Sequence, residues 1–289
     1  MTDMLRIEGL SKSFSDFALQ NISFSIPQGC IMGLIGPNGS GKTTTIRLIL
    51  NLLKKQEGTI SVLGLDHIKE EQSLKERIGV VFDSHFFVDE WNMSDVEYAM
   101  SMFYKRWNTE TYDQKLRQFQ ISRNRRVKEL SKGMQMKLML ACAFSHGAEF
   151  LILDEPTSGL DPVSRDELLD ILLDYTGNGK YSVLFSTHIT PDLAKAADSI
   201  TFINKGKMLF TGKKEELTEK FFMITGCITE LTPEVQSAAQ SIKKYPDHFE
   251  ALILRDQIHQ LSGYVFRPAA IDDIIVLTNR GGNEDGKNL

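Results

Sequence analysis

The chain has 289 residues, with 33 lysines and arginines against 38 aspartates and glutamates, so its formal net charge is −5 at pH 7. Because 42% of the residues are hydrophobic and 25% are charged, the chain can bury a sizeable core, which excludes intrinsic disorder for most of its length. The negative balance argues against a nucleic-acid-binding protein, which usually shows a basic excess on one face.

The first residues and the apolar runs bear on where the protein acts. Residues 1–6 lack the basic and then apolar pattern of a signal peptide, and Asp3 lies among them. No run approaches the roughly 18 apolar residues that a membrane-spanning helix needs. We therefore expect a chain that is neither secreted nor membrane-spanning, so that any membrane role requires a partner.

The first part of the chain predicts short strands and then a helix. Turn residues bound three candidate strands at 4–8, 19–26 and 30–35. A glycine-rich turn follows at 36–41, and apolar residues at helical spacing predict a helix over 42–53. The order strand, glycine-rich turn, helix is typical of phosphate binding at a helix N-terminus.

The middle of the chain becomes helical and then alternates. Between residues 88 and 128, apolar residues recur at helical spacing at Val96, Met100 and Phe103. Farther on, strands alternate with helices; the strands are predicted at 150–153, 182–186 and 199–203, and the helices at 162–174 and 191–197. This alternation indicates parallel strands joined by crossover helices, so we expect an α/β core with a helical insertion.

The organisation changes near Leu217. Residues 217–280 predict a small mixed unit, with strands at 222–228 and 249–254, a helix that begins at 232–234 and a helix over 270–278. Residues 281–289 are rich in glycine, asparagine and charge, so we expect a flexible tail there. The predicted domains are therefore 1–216, 217–280 and the tail.

One motif carries chemistry by itself. Residues 36–43 fit the pattern G-x-x-x-x-G-K-[ST] between an apolar strand and a helix, as that motif requires. The glycines let backbone N–H groups turn toward a β-phosphate. Lys42 is expected to bridge the β- and γ-phosphates, and Thr43 to bind Mg²⁺. The motif predicts a nucleoside triphosphate site formed by Gly36, Asn38, Gly39, Ser40, Gly41, Lys42, Thr43 and Thr44.

A second motif ends the strand predicted at 150–153. Asp154 and Glu155 follow it directly, and the carboxyl ends of parallel strands line the ligand crevice of an α/β sheet. We expect Asp154 to reach the metal and Glu155 to act as the general base that activates the attacking water. A solvated acidic pair is the alternative.

The order of the motifs resembles a known family. After the phosphate loop come Leu-Ser-Lys-Gly-Met-Gln at 130–135, Asp-Glu at 154–155, Ser-Gly-Leu-Asp at 158–161 and Thr-His at 187–188. This order and spacing resemble the nucleotide-binding subunit of ATP-binding cassette (ABC) transporters over residues 4–212. The Leu-Ser-x-Gly element is similar to the signature motif, which in that family binds the γ-phosphate of an ATP held by a partner subunit. The resemblance implies that Ser131 and the Gly133 backbone make that contact in a head-to-tail dimer.

Three further residues are assigned by the same resemblance. Phe14 lies where the family places an aromatic ring that stacks on adenine, although a core phenylalanine is also compatible. His188 resembles the switch histidine that contacts the γ-phosphate, and Asp161 resembles the residue that links the two sites of the dimer. Ser131 and Asp161 also suit ordinary helix N-caps, and both roles are compatible.

Two positions depart from the family pattern. After residues 78–82 the family usually has a glutamine that contacts Mg²⁺ and the water, whereas this chain has Asp83. An aspartate oxygen can bind Mg²⁺, but its charge near a γ-phosphate is costly without the metal, so we expect a strong dependence of the activity on Mg²⁺. In the signature, Lys132 stands where glycine is common, yet Ser131 and Gly133 remain, so we expect the dimer to form.

The resemblance implies an α/β fold: an ABC-type phosphate-loop NTPase core with a helical signature subdomain at about 84–134, an antiparallel β subdomain and a small C-terminal α/β accessory unit. It implies an ATPase that uses ATP and Mg²⁺, dimerises, and powers export through a separate multi-span permease at the cytoplasmic face of the plasma membrane. Phe86, Phe87 and Trp91 fall where the family's subunit meets that permease, although they suit the core of the helical insertion equally.

The resemblance also suggests a class of substrate, which is the most detailed inference drawn from it. The C-terminal stretch 267–274 is similar to the tail of single-cassette exporters, including those of phenol-soluble modulins and bacitracin-type peptide resistance, which favours amphipathic, antimicrobial or toxin peptides. Two other functions stay open: a soluble ABC ATPase acting on DNA or ribosomes, and a regulator whose C-terminal unit senses a ligand. A single cassette without sustained heptads or cysteine clusters disfavours the first of these.

Overall fold

The structure is a computed structural model that describes residues 3–280, without the side chains of residues 278–280. The tail predicted at 281–289 lies outside the described residues. Within them, the strands form a larger sheet of ten strands and a smaller sheet of four. In chain order the strands are β1 (Asp3–Ser13), β2 (Ala18–Pro27), β3 (Ile31–Ile35), β4 (Glu57–Val62), β5 (Leu65–Asp66), β6 (Ile78–Val81), β7 (Phe150–Asp154), β8 (Ser182–Thr187), β9 (Ser199–Asn204), β10 (Lys207–Lys213), β11 (Phe221–Cys227), β12 (Ala239–Lys244), β13 (His248–Leu254) and β14 (Phe266–Pro268).

The helices connect these strands, and the last helix follows β14. They are α1 (Lys42–Ile49), α2 (Glu71–Lys75), α3 (Met93–Phe103), α4 (Thr109–Gln118), α5 (Lys132–Ser145), α6 (Pro162–Thr176), α7 (Thr190–Ala196), α8 (Lys214–Lys220), α9 (Pro233–Ala238) and α10 (Ile271–Arg280). The prediction of a helix over 42–53 was too long, because the chain leaves the helix at Leu50 and Asn51 adopts a positive φ of 54°.

The larger sheet has an antiparallel half and a parallel half. Its strand order is β5-β4-β1-β2-β10-β9-β3-β8-β7-β6, and β1, β2, β4 and β5 pair antiparallel. In the other half, β3 pairs parallel with β8 and β9, and β7 pairs parallel with β8 and β6. Strands β3, β7 and β8 are buried along their full length, as expected of parallel strands covered on both faces. The predicted parallel arrangement is confirmed.

The register of the parallel half places three functional segments at one edge. Ile35, at the end of β3, pairs with Thr187 at the end of β8, and Asp154 of β7 pairs with Ser186. The phosphate loop that follows Ile35, Glu155 and His188 therefore leave the sheet side by side. This is the edge at which ligands bind in open α/β sheets.

The helical insertion packs around one buried ring. Tyr112 of α4 is fully buried and donates a hydrogen bond from its hydroxyl to the Met93 carbonyl oxygen of α3, at 3.2 Å. Val96 and Met100 are buried, as the helical spacing predicts. Phe103, the last residue of α3, completes the predicted helical spacing and is 76% exposed.

The C-terminal unit is the four-stranded sheet with a helix on each face. Its order is β12-β13-β11-β14, and all its pairs are antiparallel. On β13, Phe249, Ala251 and Ile253 join the core that contains Val235 of α9, and Leu252 points into the core that contains α10. The sequence predicted β11 and β13 but not β12 or β14, because β12 is a polar edge strand and β14 has three residues.

The described residues include no helix that is both long and apolar enough to span a bilayer.

Candidate active site

A cleft of about 600 Å³ opens at the carboxyl ends of β3 and β7. The structure brings together ten of the predicted site residues along its wall, namely Asn38, Gly39, Ser40, Gly41, Lys42, Thr43, Thr44, Asp83, Glu155 and His188. Ser158, the first residue of the Ser-Gly-Leu-Asp motif, also lines it, as do Asp16 and Phe17, which were not singled out in the sequence. The predicted phosphate loop therefore shares one cleft with the predicted base and the predicted switch histidine.

The phosphate loop requires glycine where it turns. Gly36 has a φ of 155°, and a Cβ atom there would lie 2.1 Å from the Ile203 carbonyl oxygen. Gly41, at the N-cap position of α1, has a φ of 116°, which is left-handed backbone. Only glycine adopts both conformations without strain or overlap. A glycine-rich turn at a helix N-terminus, here on the wall of the cleft, is suited to bind an anion through its backbone N–H groups.

Lys42 is a buried cation at the centre of the loop. Its side chain is 5% exposed, and its Nζ donates hydrogen bonds to the Gly36 carbonyl oxygen at 2.8 Å and the Pro37 carbonyl oxygen at 3.3 Å. The same Nζ lies 3.1 Å from Oε1 of Glu155. A buried ammonium that is already surrounded by oxygen atoms is suited to bind phosphate oxygens in the same place.

Glu155 is held in an unusual backbone conformation. Its φ is 50°, a left-handed value that is uncommon outside glycine and clusters at functional sites. Ser186 stabilises it, because the Ser186 hydroxyl accepts a hydrogen bond from the Glu155 N–H at 2.9 Å and donates one to Oδ1 of Asp154 at 2.6 Å. The Glu155 carboxylate reaches Nδ1 of His188 at 2.7 Å. Ser186 was not predicted, because only the pairing of β7 with β8 places it there.

The oxygen atoms near Thr43 fit a magnesium ion that shares its shell with phosphate. The Thr43 hydroxyl donates to Oδ1 of the buried Asp154 at 3.1 Å, and the Asp83 carboxylate lies on the cleft wall. Among the described residues, no group of three or more histidine, cysteine, aspartate or glutamate side chains is arranged to hold a metal. Mg²⁺ typically uses one or two carboxylates and takes its other ligands from substrate phosphates and water. The Thr43 hydroxyl and the carboxylates of Asp154 and Asp83 match this pattern of ligands.

The aromatic wall of the cleft differs from the expectation. Phe17 lines the cleft and its ring lies 6.3 Å from the ring of Phe14, which is 43% exposed and lies outside the wall. The two residues close a turn, since the Phe14 N–H donates to the Phe17 carbonyl oxygen at 2.8 Å. The role of Phe14 in adenine stacking stays a prediction, and Phe17 is the ring that the structure brings nearest to the loop.

Ser131, Gly133 and Asp161 lie at helix N-termini and outside the cleft of their own chain. The Ser131 hydroxyl accepts from the Met134 N–H at 3.3 Å and begins α5. Asp161 begins α6 and accepts hydrogen bonds from the hydroxyl and backbone N–H of Ser164, which hold its pKa below the ordinary value. A Cβ atom on Gly133 would lie 3.0 Å from the Ser164 hydroxyl oxygen. The capping roles are present, and the roles across a dimer stay predictions.

A second cavity of about 580 Å³ lies beside the cleft, and we call it the groove. It is mostly apolar and is lined in part by Leu74, Phe82, Phe86, Phe87, Trp91, Met100, Phe103 and Tyr104, with Glu71, Lys75 and Glu76 at its edge. Phe87 is buried in the core of the insertion, whereas Phe86 is 58% exposed. Phe87 therefore fits the interpretation as core of the helical insertion, whereas Phe86 is exposed enough to contact a partner.

Comparison with known proteins agrees with the geometry. A family model described as "ABC transporter" matches residues 19–158. NatA, an ABC transporter ATP-binding protein of Bacillus subtilis, is 31% identical over 229 residues, which cover 75% of this chain and 92% of NatA. An uncharacterized ABC transporter ATP-binding protein of Methanocaldococcus jannaschii is 32% identical over 270 residues, covering 92% and 96% of the two chains. The Nod factor export ATP-binding protein I of Rhizobium leguminosarum is 31% identical over 227 residues, covering 74% and 70%.

Solved structures show the same fold. The structure of an ATP binding subunit of an ABC transporter superposes with a TM-score of 0.67 at 26% identity, covering 74% of this chain and 91% of that chain. The structure of cbiO1 from Clostridium perfringens, described as part of the ABC transporter complex cbiONQ, superposes with a TM-score of 0.65 at 24% identity. The predicted combination of a phosphate-loop core, an antiparallel part and a helical insertion is confirmed.

Proposed function

Since this chain belongs to the ATP-binding subunits of ABC transporters and is an ATPase, we propose that it powers export through a separate membrane permease. The observation that supports this most directly is the course of residues 82–87. Asp83 lies on the wall of the cleft, while Phe82, Phe86 and Phe87 line the groove. One short segment therefore contacts both the nucleotide site and a surface suited to a partner.

Within the cleft, the proposal gives each side chain a step in hydrolysis. The loop N–H groups and Lys42 bind the phosphates, and Glu155 accepts the proton of the attacking water. In the structure Lys42 and His188 both contact the Glu155 carboxylate, at 3.1 Å and 2.7 Å. When phosphate oxygens bind the Lys42 ammonium, the ion pair between Lys42 and Glu155 is broken. The Glu155 carboxylate can then orient water. His188 then keeps the remaining contact and faces the γ-phosphate.

Thr43 and Asp154 are the residues that would hold Mg²⁺, with Asp83 facing the same site. When bound, Mg²⁺ supplies positive charge that offsets the charge of the β- and γ-phosphates. Thr43 and Asp154 already contact each other at 3.1 Å, so the two oxygens are preorganised by α1 and β7.

The proposal includes a dimer, since part of the predicted site lies away from the cleft. Ser131 and Gly133 stand at the N-terminus of α5, where backbone N–H groups and the helix dipole favour an anion. A second copy placed head to tail would bring these groups to the γ-phosphate side of the cleft. The dimer would then hold ATP between the two chains.

The groove is the proposed docking surface for the permease. Its exposed aromatic side chains, Phe86 and Phe103, stand among apolar residues that line the rest of the groove. An apolar groove with exposed aromatic rings fits the apolar face of a short amphipathic helix. The subunit would thus lie on the cytoplasmic face of the membrane, through its permease.

Two relationships support the finer parts of the proposal. The Rhizobium leguminosarum relative is an export ATP-binding protein, which favours the export direction. The resemblance of residues 267–274 to peptide-exporter tails favours amphipathic, antimicrobial or toxin peptides as the substrate.

The proposed domains are residues 1–216, with helical residues at about 84–134, and the accessory unit at 217–280.

The test uses the tagged full chain with Glu155→Gln, expressed in its native host, and wild type as the matched control. Membranes are solubilised in detergent, the chain is captured in Mg-ATP or in Mg-ADP, and co-purifying proteins are identified. Glu155→Gln removes the base but keeps the phosphate contacts, so ATP should persist and one multi-span protein should be recovered in stoichiometric amount. Recovery only from the soluble fraction, alone or with ribosomes or DNA-binding proteins, would instead favour a non-transport ATPase or a regulator.

The substrate is tested in a strain that lacks the chain. Loss of the proposed exporter should raise sensitivity to amphipathic peptides, or cause such peptides to accumulate inside the cell, and wild type but not Glu155→Gln should restore export. Unchanged sensitivity and unchanged accumulation across a peptide panel would contradict the peptide part of the proposal.

A further inference from the structure

Helix α10 of the C-terminal unit reaches the segment that carries His188. The hydroxyl of Thr190, the first residue of α7, donates a hydrogen bond to Oδ1 of Asp272, in the first turn of α10. Thr190 is 6% exposed, so its hydroxyl depends on a protein partner. The contact joins residues 82 positions apart and connects α10 of the C-terminal unit to the residues that follow His188.

We propose that Asp272 is a positioning residue for ATP hydrolysis: through Thr190, it fixes the segment 187–190 on which His188 stands. The C-terminal unit thereby takes part in setting the geometry of the active site. This inference rests on the role proposed above for His188.

The segment has one anchor on its other side, and that anchor is buried. The Thr187 hydroxyl oxygen accepts a hydrogen bond from the Ile189 N–H at 3.0 Å. The Asp192 carboxylate, which is fully buried, accepts from Thr187 at 3.4 Å and from Thr157 at 2.6 Å. Thr157 belongs to the turn that follows Glu155. Asp192 thus connects the segment to the turn after Glu155, and Asp272 contacts the segment from the C-terminal unit.

Helix α7 has an anchor outside itself at each end, in addition to its buried Asp192. Its N-cap position is Ile189, and in the described structure no side chain caps this helix. Seven residues form a marginal helix by themselves. The other end is also held from outside, since Nζ of Lys214 donates to the Ala194 carbonyl oxygen at 2.8 Å. Asp272 and Lys214 therefore brace α7 near its two ends, and His188 directly precedes it.

Helix α10, which carries Asp272, is held in place by several hydrogen bonds. Arg267 binds the Asp273 carboxylate with two hydrogen bonds, at 2.6 and 3.2 Å, and Asp273 also accepts from the Ala270 N–H at 2.9 Å. Ser241 of β12 donates to the Leu277 carbonyl oxygen at 2.7 Å, which fixes α10 on the sheet. An exposed carboxylate on a helix held in this way can hold its partner in one place.

The experiment compares the full-length chain with Asp272→Ala, Thr190→Val and the double variant. Steady-state ATPase activity gives kcat and KM for ATP, and thermal unfolding gives Tm. Each single variant should lower kcat by about threefold to tenfold, since one hydrogen bond near the reacting groups is lost, and should leave KM within about twofold. The double variant should equal the singles, because both remove the same contact. Thr190→Ser keeps the hydroxyl and should retain wild-type kcat.

Thr232→Ala is the matched control, since it removes the side-chain cap of α9, which packs on the face of the same small sheet opposite α10. It should lower Tm and leave kcat unchanged. Asp272 is exposed, so Asp272→Ala creates no cavity and is expected to fold. Wild-type kcat in folded Asp272→Ala, or additive losses in the double variant, would overturn the inference.

His188→Ala separates this inference from the proposed function. If it abolishes hydrolysis while Asp272→Ala does not alter kcat, only the positioning role of Asp272 is wrong. If His188→Ala itself retains kcat, the role proposed for His188 fails.

Discussion

Glu155 shows how single residues shape the cleft. Its left-handed backbone costs on the order of 1–2 kcal/mol for a residue with a side chain. The hydrogen bond from its N–H to Ser186 and the ion pair with Lys42 offset this cost. The strained turn directs the carboxylate away from β7 and into the cleft.

Asp83 supports a prediction on magnesium. In Asp83→Gln, ATP binding without Mg²⁺ should tighten, because a carboxylate beside the γ-phosphate is replaced by a neutral amide. The gain in ATP affinity on adding Mg²⁺ should therefore fall by about fivefold to tenfold, corresponding to a repulsion of about 1 kcal/mol at the partly solvated cleft wall. Isothermal titration with ATP, with and without Mg²⁺, measures both affinities.

Asp89→Gln is the control for this experiment, since Asp89 is an exposed carboxylate near the end of the same loop and outside the cleft wall. It should leave the Mg²⁺ dependence as in wild type. An unchanged Mg²⁺ titration of ATPase activity in Asp83→Gln would show that Asp83 does not act on the phosphates.

At the scale of an element, α5 joins the signature segment to the body of the insertion. It begins with the Ser131 cap and ends at His146, whose ring stacks on Tyr104 with centroids 4.0 Å apart and planes within 7°. His146 is 2% exposed, and burial lowers its pKa to about 4. The imidazole is therefore neutral in the folded protein at pH values where it is protonated in the unfolded chain.

His146 supports a prediction on acid stability. Between pH 6.5 and about 4, the unfolded chain binds a proton that the folded chain does not, so stability falls as the pH is lowered. The difference corresponds to about 3 kcal/mol in the free energy of unfolding. His146→Phe keeps an aromatic ring against Tyr104 and removes the titration, so its stability should fall less over the same range.

Urea unfolding of both chains from pH 7.5 down to pH 4 provides the comparison. Wild type is the reference for every other group that titrates, because those groups are present in both chains. Parallel curves for the two proteins would show that His146 remains accessible to protons in the folded state.

For the whole molecule, two regions connect to the cleft within one chain. The segment 82–87 joins the cleft to the groove, and Asp272 joins the C-terminal unit to Thr190, in the segment that carries His188. The N-terminus of α5 lies outside the cleft of its own chain, and its contact with a second copy is part of the proposal. A change at the groove or in the C-terminal unit can therefore reach the hydrolytic groups through a short chain of contacts.

The groove supports a prediction on assembly. Phe103→Asp places a charge on the exposed apolar wall, so co-purification of the permease should fall by more than about tenfold, because a carboxylate would have to be desolvated on docking. Phe103 is 76% exposed, so Tm should stay unchanged. Pull-down from detergent-solubilised membranes, with quantification of both proteins, measures the loss.

Tyr98→Asp is the matched control, because Tyr98 is 69% exposed on the same helix α3 and does not line the groove. It should retain the permease. Equal recovery with both variants would place the docking surface elsewhere.

The sequence by itself determined the features that depend on local chemistry. The glycine-rich turn between β3 and α1, the acidic pair at the end of β7, the caps Ser131 and Asp161 and the alternation of strands and helices lie where the sequence predicted them. Each depends on residues a few positions apart, because glycine geometry, side-chain capping and hydrophobic period act over a turn or a strand. The same local signals failed at α1, which ends earlier, and at the polar edge strand β12.

Only the tertiary structure decided which distant residues meet. Ser186 supports Glu155 because β8 pairs in register with β7, and Phe17 rather than Phe14 lines the cleft because of the turn before β2. Phe103, at the end of α3, is exposed. Asp272 reaches Thr190 because α10 lies against the start of α7. These contacts arise from strand register and packing between segments far apart in the chain, and no local pattern encodes them.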